Sequence, residues 1–90
     1  MPAAMAGGST TNDDTAAVRR FLIDNGDWVR PAAELTDDVP LLREVLDSLA
    51  IVNLTLWIES DLEVALEDDD LAPANFANVG SIARLIARRR

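Results

Sequence analysis

From Ser48 to Leu62 the sequence SLAIVNLTLWIESDL places apolar side chains on two sides of one helix. At about 100° per residue, Ile51, Leu54, Ile58 and Leu62 fall along one stripe, while Leu49, Val52 and Leu56 fall on the opposite side. The chain has only ninety residues, which is one small domain at most. A domain of that size buries only about 60–65% of the surface its unfolded chain exposes, so it is too small to enclose a helix completely. One stripe is therefore expected to face the core. The other is surplus surface, kept for something outside the domain.

The remaining elements are also helical. Residues 1–12, MPAAMAGGSTTN, are small and polar with no periodicity, and are expected to form a disordered leader ahead of a domain spanning 13–90. A first helix is expected from near Asp13, with Thr11 and Asp14 at capping-box spacing and acidic residues in the first turn. Val18, Phe21 and Leu22 define its face, Ala17 and Ile23 widen it, and Gly26 suits the position just past its end near Asn25. A long connection over 26–46 follows. Trp28, Val29, Leu35, Val39, Leu41, Leu42, Val45 and Leu46 are spread along it, and Leu35 with Leu41 or Leu42 is expected to anchor it. A short helical turn is expected over 40–44, with Pro40 at its first position.

Asp47 or Ser48 is a good N-cap for the second helix, expected over 48–61. Val64 and Leu66 should turn inward from an extended connection, and the acidic run Glu67–Asp70 reads as a solvated turn or helix start. Its adjacent acids lack the spaced ligands and central glycine of a calcium loop. Pro73 can open a short helix or turn over 73–77 with Phe76 in the core. Asn78 or Ser81 can cap the last helix, which faces inward with Val79, Ile82, Leu85 and Ile86. Arg84, Arg88, Arg89 and Arg90 suit its C-terminal end, where a solvated, dipole-matched role is the plainest reading. The sum is an all-α domain of three main helices, one short helix and a long first loop.

Composition narrows the chemistry. There is no cysteine and no histidine, so neither a Ser-His or Cys-His couple nor the usual zinc set is available, and no disulfide staples the fold. An enzyme is therefore not expected. Sixteen acidic residues against eight arginines give a net charge of −8, which repels nucleic acid. No apolar run is long enough to cross a bilayer, and no secretory signal is apparent. A cytoplasmic monomer without membrane or nucleic-acid partners is expected.

Asp47-Ser48-Leu49 stands at the start of the two-striped helix. A serine at a helix start is ordinarily just a cap. Here the surplus stripe of Leu49, Val52 and Leu56 begins beside it, and a long loop delivers it to one end of the domain. With no base to activate it, Ser48 is a poor nucleophile but can accept a group delivered by another enzyme. A phosphodiester there would lie at the positive end of the helix.

Asp47-Ser48-Leu49 resembles the attachment motif of acyl carrier proteins and the related peptidyl carrier domains. Leu35-Thr36-Asp37-Asp38 is similar to the acidic turn ahead of that motif. Pro40-Leu41-Leu42 followed by Leu46-Asp47-Ser48-Leu49 looks like the loop of many free-standing carriers. Asp70 to Val79 resembles the stretch leading into the family's final helix. The likeness covers about residues 13–88. It implies a small four-helix acyl-carrier-like bundle and a covalent 4′-phosphopantetheine arm on Ser48, flanked by Asp47 and Leu49. It also implies a phosphopantetheinyl transferase that installs the arm, an adenylating or acyltransferase enzyme that loads it, and a downstream synthase or transferase. Such partners grip the second helix, so Glu44, Val52, Leu56 and Glu59 are expected contacts.

Two departures stand out. Glu44 and Val45 occupy positions where glycine is common, and Ala50 and Asn53 occupy positions where fatty-acid carriers commonly have acids. The expectation is a dedicated carrier in a specialised-metabolite pathway. Trp57, large where small residues are common, is expected to pack against the core or to narrow the space for a long acyl chain. The alternative is a helical protein-interaction module that uses Leu49, Val52 and Leu56, with Ser48 only a cap.

Overall fold

The computed structural model describes residues 10–42 and 44–89. Three α-helices, α1 (Thr10–Asp24), α2 (Ser48–Asp61) and α3 (Val79–Arg89), are joined by irregular segments containing the 3-10 turns Ala32–Glu34, Asp68–Leu71 and Pro73–Phe76. No strand forms among the described residues; the architecture is the all-α one that the helical periodicities lead to, and it fits the small acyl-carrier-like bundle that the resemblance implies.

Helix α1 packs chiefly on α3. Val18 and Leu22 are buried as expected, and Phe21 and Ile23 pack on the core from its edge. Among the described residues the helix already includes Thr10, ahead of the expected start near Asp13, and Thr10, Thr11 and Asn12 contain no glycine or proline to break it. The last three residues of the expected leader are thus helical, and the rest of it lies outside the described residues. Thr11 is inside the helix, so it is not the cap paired with Asp14. Asp14 is buried with Thr15 instead of lying on a solvated first turn. At the other end Gly26 adopts φ +83°. The Gly26 N–H donates to Ile23 O at 3.1 Å and the Asp27 N–H to Leu22 O at 3.0 Å. This is the Schellman pattern, and it requires the left-handed conformation that glycine adopts freely.

The first loop is fastened at several points. Trp28 and Leu35 are buried. Trp28 Nε1 donates to Pro31 O at 3.1 Å, and the Arg30 guanidinium lies 4.3 Å above its ring. Asp37 joins α1 to α3, taking Arg19 Nη1 at 2.8 Å from α1 and the Gly80 N–H at 2.9 Å from α3. The helical turn expected over 40–44 is not formed by the described residues there. The Leu41 N–H donates across to Ala77 O at 2.8 Å, and the N–H groups of Val45 and Leu46 both donate to Leu41 O. Leu41 and Leu46 are both buried. Five residues apart on a helix they would diverge by about 140°, whereas this wide turn points both inward. The turn Ala32–Glu34, which follows Pro31, had no counterpart in the sequence reading.

Phe76, Val79, Ile82, Leu85 and Ile86 join Val18, Leu22, Leu54 and Ile58 in one core. Each such side chain stabilises the fold by about 1.5–3 kcal/mol on burial. Val64 is buried, and Leu66 packs at the edge, as the extended connection required. The Asn78 side chain caps α3, accepting the Ser81 N–H at 2.7 Å. Trp57 stacks on Phe21 of α1, with centroids 4.7 Å apart and planes at 26°, so its ring contributes to packing between α1 and α2.

Two acidic and basic stretches differ from their solvated readings. The run at 67–70 forms a 3-10 turn with a reciprocal capping box between Glu67 and Asp70. Asp70 is buried, because Arg89 folds back onto it from the end of α3. A long guanidinium that can satisfy a carboxylate with two hydrogen bonds lets the acid leave water.

Candidate functional site

Helix α2 has the bounds its periodicity indicates, and its N-terminus is where the candidate residues meet. Asp47 is the N-cap. Its carboxylate Oδ1 accepts the Ala50 N–H at 2.8 Å, and its carbonyl accepts the Ile51 N–H at 3.0 Å. Asp47 therefore fills the role that serine usually has at a helix start, and Ser48 is the first helical residue, exposed to solvent. The reading of Ser48 as only a cap does not hold. Helix geometry leaves the first-turn N–H groups without intrahelical acceptors, and Asp47 takes up one of them. Ser48 thus belongs to the turn at the positive end of the helix dipole.

A shallow depression lies beside the serine. Leu42, Leu46, Asp47, Ser48, Ile51 and Pro73 line it. It is apolar except at the end marked by Asp47 and Ser48. Leu46 and Ile51 were legible as neighbours of the motif. Pro73 is distant in sequence and no local signal pointed to it.

The surplus stripe is exposed. Leu49, Val52 and Leu56 are 68%, 51% and 58% accessible, whereas Leu54 and Ile58 on the opposite face are fully buried and Ile51 is half-buried. Of the acids expected to flank the stripe, Glu44 is exposed on the turn before α2. Glu59 is exposed too, but its Oε2 accepts the Leu66 N–H at 3.3 Å and so ties down the segment after the helix.

Sequence reasoning missed Asp27. Its Oδ2 is buried without a hydrogen-bond partner. Burial, and then the charge of Asp47, push its carboxyl above the usual range, against a hydrogen bond from Asn25 that lowers it. A second carboxylate therefore sits in the electrostatic field of the helix cap. Among the described residues no group of three or more acidic, histidine or cysteine side chains is placed to hold a metal ion. No helix there is long and apolar enough to cross a membrane.

An exposed serine in the first turn of a helix, lining a largely apolar trough, suits a phosphodiester. Among family models, the one described as the phosphopantetheine attachment site matches residues 27–86. That span runs from Asp27 through the core of α3 and includes the whole of α2. Neither the curated proteins nor the solved structures gave a match.

Proposed function

The chain belongs to the phosphopantetheine-attachment family of acyl and peptidyl carriers, and from that premise we propose that Ser48 is the residue bearing the arm. Carriers of this family hold 4′-phosphopantetheine covalently and are not themselves catalysts. The arm supplies a terminal thiol on which cargo rides as a thioester. The protein's own residues anchor and present it. The observation that carries the assignment is the exposed Ser48 at the first position of α2, relieved of capping by Asp47.

The same geometry supports roles for the neighbours. Asp47 fixes the helix end, and so the place of the hydroxyl, by holding the Ala50 N–H. Leu49, Val52 and Leu56 offer the apolar surface that a transferase or loading enzyme would cover, with Glu44 and Glu59 at its margin. Contacts of this kind are dominated by a few buried apolar anchors. We read the cargo as an acyl or aminoacyl group in a specialised pathway, because the exposed Asn53 leaves this face less acidic than fatty-acid carriers commonly are, whereas Ala50 is buried and does not belong to that face. The carrier is taken to be a cytoplasmic monomer.

Incubation with coenzyme A and a broad-specificity phosphopantetheinyl transferase tests the reading. The wild-type protein gains the mass of one phosphopantetheine, and Ser48→Ala gains none while keeping its helical content. An unmodified wild type in the presence of active transferase refutes it. Val52→Asp and Leu56→Asp lower the rate of loading and leave helicity near wild type. Unfolding in either variant would put that stripe in the core.

A further inference from the structure

One wall of the trough beside Ser48 is held from the far end of α3. Pro73 lines the trough and opens the 3-10 turn Pro73–Phe76, which follows the turn Asp68–Leu71 after the single residue Ala72. The carboxylate of Asp70, only 5% exposed, joins these pieces. Arg89 Nε donates to its Oδ2 at 2.7 Å, and Nη2 donates to Oδ1 at 2.9 Å. Oδ2 also accepts the Glu67 N–H at 2.9 Å. The Asp70 carbonyl accepts Asn75 Nδ2 at 2.9 Å, which reaches into the second turn. Arg88 approaches Asn75 Oδ1 at 3.5 Å. Both turns are thereby fastened to the last turn of α3.

The chemistry makes this more than a surface pair. A guanidinium that meets a carboxylate through two parallel bonds fixes orientation as well as distance. Arg89 holds the Asp70 carboxyl below its ordinary range, and Asp70 in turn raises Arg89. Helix α3 does not depend on the pair for its own place, because Val79, Ile82, Leu85 and Ile86 seat it in the core. Loss of the pair would release the turn Asp68–Leu71 and the Pro73 end of the next turn, whose other end Phe76 keeps in the core, and would leave the helix where it is.

We propose that Arg89 and Asp70 are a positioning pair that sets the Pro73 wall of the trough beside Ser48, and thereby controls access to the serine. The positioning stands on the geometry alone. The control of access rests on Ser48 being the attachment residue. Positioning is read from amide chemical shifts of the unmodified protein. In Arg89→Gln the amides of 70–72 and 74–76 move, and so do those of Leu42, Leu46, Ser48 and Ile51, while Val18, Leu22 and Leu85 stay in place. Arg84→Gln, on the same helix but bonded to Ser81, moves neither the turns nor the trough. Shifts confined to the two turns in Arg89→Gln overturn the proposal. Should that variant lose its helical signal, Arg89→Lys keeps the charge without the fork. It then displaces the same trough amides by less, and trough amides at wild-type positions overturn the proposal equally.

Access is read from the kinetics of arm attachment. Arg89→Gln lowers kcat/KM severalfold, and Arg84→Gln keeps the wild-type value. An unchanged kcat/KM in Arg89→Gln refutes control of access. A wild type that is never modified refutes the carrier reading, and the chemical-shift result is unaffected by that failure.

Discussion

Helices α2 and α3 handle apolar residues differently. Helix α3 gathers Val79, Ile82, Ala83, Leu85 and Ile86 on one side and buries all of them, leaving Arg84 and Arg88 in water. Helix α2 is richer in apolar residues but buries only Ala50, Leu54 and Ile58, and leaves Leu49, Val52 and Leu56 exposed. Folding accounts for every large apolar residue of α3. It accounts for only one face of α2. The unexplained face begins beside an exposed serine whose capping task another residue performs, and there the fold gives way to function.

The sharpest way to break this contrast is truncation on the two faces of α2. Leu54→Ala, like Ile82→Ala in α3, is expected to cost about 2–5 kcal/mol in chemical denaturation. Leu56→Ala is expected to stay within about 0.5 kcal/mol, as exposed substitutions do. Equal losses at Leu54 and Leu56 would erase the distinction.

Asp47→Ala removes the cap of α2 and should cost about 1 kcal/mol. Ser48→Ala should cost much less, and a reversed order would return the capping role to the serine.

At the α3 end, the folded pKa of Asp70 lies below its unfolded value of 3.8. The stabilisation it brings is fully present above the unfolded value and is lost as pH falls through the depressed one. An acid titration of the wild type should therefore fall more steeply than that of Asp70→Asn.

The smallest effect is expected at Asp27, whose pKa is raised above 3.8. Its contribution has the opposite sign, with stability lost as pH rises from the unfolded pKa through the raised value. Asp27→Asn should raise the denaturation midpoint at neutral pH slightly, and a lowered midpoint would show that the carboxylate is needed.

Local signals were read correctly where local physics decides. The limits of α2, the glycine that ends α1, the Asn78 cap and the two stripes of α2 all follow from periodicity and capping within a few residues. Contacts between distant residues were not legible. Arg89 and Asp70 are nineteen positions apart, and each read singly suggests a solvated charge. Trp57 and Phe21 meet only once α1 and α2 are packed. The turn over 40–44 failed as a helix because Leu41 is drawn to Ala77, a partner that no local pattern reveals. At the site, Asp47, Ser48 and Leu49 were evident from the motif. The Pro73 wall and the half-buried Asp27, with its one buried oxygen, came only from the fold.

The central claim is that the arm sits on Ser48, where the exposed apolar face of α2 begins. Fragmentation of the transferase-treated protein, with each peptide assigned by mass, tests it most directly. The account predicts the added phosphopantetheine on the peptide carrying Ser48 alone. Its appearance on a peptide carrying Ser60 or Ser81, or its persistence in Ser48→Ala, would contradict the account.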